Sequence, residues 1–215
     1  MLNEKAKIAN LHYLYADLPE EKAHKKASRR LSKLGYELDE RNTDKDVLTA
    51  KRGNNIHINY TGTNIRNPRD IISDVALGVG IQRINPQFKE RRRTTRDIMR
   101  QYGDDKDYTM SGHSLGGSIA LNTVVQSKSI RDRVSKVDVF NPGYTKAFNE
   151  SIKVDKPVKR QLDKKVTVHR VKGDIVSAYA NRDTAFGAVA EYTNKDNNAD
   201  LSDKHSLDTF INSDL

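Results

Sequence analysis

The 215-residue chain predicts an α/β fold: a mostly parallel central sheet flanked by helices, with a helical N-terminal segment. Three observations predict it. Helical periodicity alone runs through the first 34 residues. β-prone runs then alternate with helical spacings to the C-terminus. The run "YTMSG" also breaks at a glycine straight into the small-residue helix "GSIALNTVVQS", the strand–turn–helix step from which such sheets are assembled. With no internal repeat and no proline- or glycine-rich linker, residues 1–215 are expected to form one domain, with 1–34 its helical N-terminal segment.

The elements follow in order. Ile8, Leu11, Leu14 and Tyr15 share one helical face, and Ala23, Ala27, Leu31 and Leu34 share a second; Pro19 separates the two helices and Gly35 ends the second. "VLTAK" and "IHINY", joined through "RGNN", read as a β-hairpin. "PRDIISDVALG" has helical spacing, and "PQFKERRRTTRDIMRQYG" reads as a longer charged helix with Pro86 at its start. After "YTMSG" and its helix come the strands "VSKVDVFN" and "KVTVHRV", then a C-terminal helix, "HSLDTFI".

Hydrophobic residues make up 35% and charged residues 31%, with a formal net charge of +9, so the surface must be heavily charged and suited to anionic partners. Cysteine is absent, which excludes a disulfide framework. The N-terminus carries charges within its first five residues, and the longest apolar run, Val75 to Ile81, is far too short to span a bilayer. A soluble protein without an export signal is expected.

Ser114 lies in Gly112-His-Ser-Leu-Gly116, a G-x-S-x-G pattern. Such a nucleophile elbow turns a strand sharply into a helix, strains the serine backbone and leaves no room for side chains at the flanking positions. It would present the Ser114 hydroxyl to solvent and aim the Leu115 backbone N–H, at a helix N-terminus, towards developing negative charge. The apolar β-prone run before it and the small-residue helix after it favour an elbow over a plain loop. The "GG" pair lacks the lysine a phosphate loop would need.

A serine hydroxyl is a weak nucleophile and needs a base, and the base needs an orienting acid. On this architecture the chain order is serine, acid, histidine. Only His169 and His205 follow Ser114. His169 sits mid-strand in "KVTVHRV" and reads as structural, which leaves His205 as base. Asp174 follows the same strand after Lys172-Gly173, placing a carboxylate at a carboxyl strand end. Asp183, Asp196, Asp200 and Asp203 lie in hydrophilic loops without a preceding strand. His12, His24 and His57 have no obvious partner in the sequence, and His113 is expected to prop the elbow. Without an H-E-x-x-H or cysteine cluster, no catalytic metal or other cofactor is expected.

"YTMSGHSLGGSIA" resembles the elbow of the class 3 (fungal-type) lipases of the α/β-hydrolase superfamily. "IHINYTGTN" is similar to that family's oxyanion strand and turn, "VDVFNPG" to a strand ending in G-x-P, "HRVKGDIVS" to the acid-bearing loop and "DKHSLDTF" to the histidine segment. The likeness runs from about Gly35 to Ile211 and extends to short, disulfide-free members encoded by viruses of algae and protists. It implies an α/β-hydrolase fold and a serine hydrolase of carboxylic esters, a lipase or phospholipase acting on acylglycerols or phospholipids. A viral origin would put it in the host cytoplasm or the virion. The resemblance also implies that Thr63 supplies a second oxyanion N–H beside Leu115. Thr61 departs from the pattern, because the family commonly has arginine there to support the turn.

The resemblance further implies that Asn64 to Phe88 shapes an acyl groove or a lid, although "IISDVALGVGI" reads equally as an amphipathic core helix. Lys89 to Arg93 with Arg96 is the densest basic cluster: either a solvated helix face or a contact for an anionic membrane surface. Nucleic acid competes as an explanation of the charge, but no aromatic platform or motif accompanies it. The alternative to an enzyme is an inactive basic protein that binds membrane or nucleic acid on a hydrolase scaffold.

Overall fold

A computed structural model describes residues 2–62, 81–143, 152–174, 187–194 and 201–212. The chain opens with helices α1 (Leu2–Leu11), α2 (Leu14–Asp17) and α3 (Glu20–Ser32). Ala23, Ala27 and Leu31, spaced four apart, are fully buried, and Pro19 precedes the first turn of α3. Gly35 follows at φ +75°, a left-handed conformation that suits glycine after a helix end. The N-terminal segment is helical as expected, but it breaks additionally at His12–Tyr13.

Strands β1 (Glu37–Leu38), β2 (Val47–Arg52) and β3 (Asn55–Tyr60) pair antiparallel. The predicted hairpin is β2–β3, turning at Gly53 with φ +57°. Helix α4 (Ile81–Tyr102) leads to β4 (Asp107–His113), then come α5 (Leu115–Gln126), α6 (Lys128–Arg133) and β5 (Val134–Phe140). Helix α7 (Lys156–Asp163), β6 (Val166–Val171), β7 (Ala188–Tyr192), α8 (Leu201–His205) and α9 (Asp208–Ile211) complete the described chain. The strands lie in chain order from β1 to β7, with β3 to β7 all parallel. The expected mostly parallel sheet is therefore present, extended by the unpredicted β1 and β7.

Three details differ from expectation. Pro86 lies inside α4, five residues past its start, rather than at its first position. The C-terminal helix is two short helices. Helix α7 was not predicted; Asp155 caps it by accepting the Val158 N–H at 3.0 Å, and Pro157 sits in its first turn. The expected helix "PRDIISDVALG" lies outside the described residues.

Alternation along the strands divides the sheet into two unlike faces. Ile56, Ile58, Tyr60, Tyr108, Met110, Val137, Val139, Val166 and Val168 pack with residues of α4, α5 and α7 in one apolar core. The opposite face of the central strands is largely polar although buried, with His57, Asn59, Thr109, Ser111, His113, Asp138 and His169, and it turns apolar at Phe140 and Val171, which pack with Ala6, Ala9 and Phe210. His57 shows how such a layer is satisfied. Its Nε2–H donates to Ser111 Oγ at 2.9 Å, Ser111 donates to Asn59 Oδ1 at 2.7 Å, and Lys5 of α1 reaches His57 Nδ1 at 3.3 Å. Among the described residues no helix is long and apolar enough to cross a membrane.

Candidate active site

At the carboxyl end of β4 the chain reverses from strand to helix within one residue. Ser114 takes φ +55°, ψ −125°, a strained conformation for a residue with a side chain. Its neighbours show why the sequence needs glycine on both sides. A Cβ on Gly112 would stand 2.3 Å from the Gly116 carbonyl oxygen, and one on Gly116 would stand 2.2 Å from the Tyr60 carbonyl oxygen. Their absence lets α5 start directly against the end of β3. The Ser114 backbone is tied on both sides: its N–H donates to Phe140 O at 3.0 Å, and its carbonyl accepts from Gly143 and Ser118 at 3.1 and 3.2 Å. Leu115 is the first residue of α5, where backbone N–H groups have no intrahelical acceptor.

Asp174 follows β6 through the turn at Gly173, with φ +83°, and its own N–H donates to Val171 O at 3.1 Å. His205 is the last residue of α8. These segments, distant in sequence, form one row. His205 Nδ1 lies 3.1 Å from Asp174 Oδ1, and His205 Nε2 lies 2.9 Å from Ser114 Oγ. All three residues are buried, none more than 3% exposed, so the Ser114 hydroxyl faces His205 and not the solvent that the elbow pattern predicts. An ionised carboxylate only accepts, so Nδ1 carries the proton and Nε2 is left to accept from the serine hydroxyl. This tautomer can take a proton from Ser114 while the carboxylate balances the imidazolium that forms.

Two residues that sequence reasoning left aside or missed hold the histidine segment. His113 Nε2–H donates to the His205 carbonyl at 2.7 Å, so its Nδ1 accepts, from the Tyr13 hydroxyl at 2.5 Å. Burial first, then the neighbouring His205, pushes the His113 pKa down to about 3, which keeps the ring neutral. Asn141, at φ +40°, donates from Nδ2 to the carbonyls of Lys204 and His205 at 3.0 and 3.2 Å, and its Oδ1 accepts from Val171 N–H at 2.8 Å. His113 thus props the histidine segment as well as standing in the elbow.

The other candidates separate cleanly. His169 lies within β6 and contacts Asp138 Oδ1 at 3.0 Å and the Tyr192 hydroxyl at 3.1 Å, part of the buried polar face. Asp203 is exposed. Thr63, Asp183, Asp196 and Asp200 lie outside the described residues, as does most of Asn64 to Phe88. His12 and His57 prove well partnered once the chain folds: His12 Nε2–H donates to the Asp44 carbonyl at 3.2 Å and its ring meets the Thr61 hydroxyl. Thr61, where the resembling family carries arginine, is braced otherwise. Its N–H donates to Asp46 O at 3.1 Å and its hydroxyl to Lys45 O at 2.9 Å.

The basic cluster does not act as one unit. Arg91 is buried and paired with Asp46 at 2.7 Å, and Arg92 donates to Asn122. Arg93, Arg96 and Arg100 instead share a cleft with Ser129 and Arg133 of α6. Arg133 immediately precedes β5, so this cleft lies at the amino end of the parallel strands, opposite Ser114.

Solved structures share this architecture. The lipase from Rhizopus microsporus var. chinensis superposes with a TM-score of 0.50 at 16% identity, covering 93% of this chain and 75% of that one. Lipase II from Rhizopus niveus gives 0.50 at 13% identity, covering 94% and 81%. No family model and no curated protein sequence matches the chain. The fold is the α/β-hydrolase fold of these fungal lipases.

Proposed function

We propose that the protein is a serine-dependent hydrolase of carboxylic esters, with lipid esters (acylglycerols or phospholipids) as its substrate class. The observation that carries this reading is the buried row in which Asp174, His205 and Ser114 lie 3.1 and 2.9 Å apart, with the serine on a strained strand-to-helix turn. The fold shared with fungal lipases supports it.

In this reading Ser114 Oγ attacks the ester carbonyl carbon while His205 Nε2 takes its proton. The carbonyl oxygen gains negative charge and receives the Leu115 N–H, with Thr63 as the second donor. Losing one such donor costs about 2.7–4 kcal/mol of transition-state stabilisation. His205 returns its proton to the departing alcohol, leaving an acyl group on Ser114. Water then attacks the acyl carbon as His205 takes one of its protons, and His205 passes that proton to Ser114 Oγ as the acyl bond breaks, releasing a carboxylic acid and restoring the serine. Asp174 stays ionised throughout. His113 and Asn141 act through His205 and touch no reacting atom.

A peripheral contact with an anionic membrane remains part of the proposal, but the exposed arginine cleft is not the surface that would deliver substrate, because it faces away from Ser114. A fluorophosphonate probe tests the mechanism: native protein is expected to be labelled and Ser114→Ala to be spared. Equal labelling of the two would reject it.

A further inference from the structure

Beside the elbow lies a cleft of about 190 Å³. Its lining joins Gly62 and Leu115, which border the serine, to Lys45, Asp46 and Arg91. Gly62 stands so close that a Cβ built on it would be 3.6 Å from Ser114 Cβ. The cleft is therefore within reach of one arm of an ester held at Ser114.

The space is small for a long acyl chain, and its lining mixes Leu115 and Ile119 with charged groups. Pockets that bury drug-sized ligands hold roughly 300–1,000 Å³, and this one is smaller and charged. It carries two cations against one carboxylate, and that carboxylate is already engaged: Arg91 holds Asp46 at 2.7 Å. Lys45 is exposed and, among the described residues, has no acid partner.

The backbone beneath Lys45 is rigid. Asp44 Oδ1 accepts the N–H groups of Asp46 and Val47 at 2.7 and 2.9 Å, while the Lys45 carbonyl accepts the Thr61 hydroxyl at 2.9 Å. A point charge is thereby carried on a fixed turn next to the oxyanion strand. That placement costs little ordering entropy when an anion arrives, beyond the lysine stem itself.

We propose that this cleft is an anion subsite, which receives a phosphate or carboxylate carried on a short arm of the substrate. Lys45 is its charge partner, and Arg91, held in place by Asp46, lines the same space. The inference rests on the ester-hydrolase reading above and narrows its substrates to anionic esters. The anion's source is either the alcohol side, as in a phosphoglyceride headgroup, or the acyl side, as in a dicarboxylic half-ester.

Two matched pairs below their aggregation limits distinguish the sources: dihexanoyl phosphatidic acid against dihexanoylglycerol, and p-nitrophenyl hemiglutarate against p-nitrophenyl butyrate. The expected result is a kcat/KM preference of about tenfold or more for the anionic member of at least one pair. Lys45→Met should remove that preference, Lys45→Glu invert it, Lys45→Arg restore most of it, and high salt weaken it. Preference within the glycerol pair assigns the subsite to a headgroup, and preference within the nitrophenyl pair assigns it to the acyl arm. No preference in either pair, or one that survives Lys45→Glu, overturns the subsite while leaving the triad standing. Calorimetric titration of Ser114→Ala with dihexanoyl phosphatidic acid and with p-nitrophenyl hemiglutarate separates the two readings. Binding of either ligand that is lost on adding Lys45→Glu supports the subsite even if the wild-type protein hydrolyses nothing, and absence of binding by both counts against it.

Discussion

The Nε2–H of His113 donates to the backbone carbonyl of His205 across 2.7 Å, and the rings of the two histidines stand 4.9 Å apart. The imidazole between Asp174 and Ser114 is thus positioned through its own main chain, which Asn141 grips from Nδ2 at 3.2 Å. Removing His113 would leave a buried carbonyl and the Tyr13 hydroxyl each short of a partner. For His113→Ala we expect kcat on a soluble ester to fall by about tenfold to a hundredfold with KM little changed. His113→Gln, which retains an N–H donor, should recover part of the loss. A loss of stability without a fall in kcat would show His113 to be purely structural.

Asp174→Asn tests the tautomer. An amide can turn an N–H towards His205 Nδ1, which would then have to accept, leaving the proton on Nε2 facing the serine. A drop in kcat of about 10⁴-fold is expected, with the fold retained by circular dichroism. Near-normal turnover would mean that Asp174 does not orient the base.

The elbow glycines are predicted to be steric necessities. With contacts of 2.3 and 2.2 Å awaiting a Cβ, all to backbone, neither Gly112→Ala nor Gly116→Ala can be absorbed by side-chain movement. Each should destabilise the protein by about 3 kcal/mol or more, read from urea unfolding. Gly53→Ala offers the contrast: nothing lies within 4 Å of a Cβ there, so only the φ of +57° resists it. Its cost is expected near 1 kcal/mol.

Acid should destabilise the fold through histidines that are buried neutral. Burial lowers His12 to about 4, outweighing the Asp44 carbonyl and charge that raise it, and lowers His113 to about 3. His57 is held well below 6.5 by burial first, then by Lys5 and Arg52. In the unfolded chain these rings bind protons near pH 6.5, whereas in the folded chain they do not, so their contribution is complete above that pH. It is lost as pH falls from 6.5 towards those lowered values, at about 1.4 kcal/mol per pH unit for each ring. Unfolding free energies measured between pH 7.5 and 4.5 check the sign, and His12→Gln should flatten the slope.

Much of the site was legible because its chemistry is local or ordered along the chain. The elbow is written in consecutive residues: a β-prone run, two glycines around a serine, then a helix of small residues. Asp174 could be placed because "VTVHRV" ends just before it and a parallel sheet gathers its groups at carboxyl strand ends. Edge elements were harder to read. Strand β7, "AVAEY", is largely exposed and has no buried alternation to betray it, and Glu37–Leu38 is too short to show a period.

The sequence by itself determined the strand–elbow–helix unit and the alternating architecture, and it singled out the three residues we propose as nucleophile, acid and base. Only the tertiary structure decided which polar residues serve them. Tyr13, His113, Asn141 and His205 meet because pairing and helix packing bring distant segments together, and the joining of Lys45 to the end of β3 through Thr61 has the same origin. Periodicity reports which face a residue takes. It carries no record of what the opposing element will bring to that face.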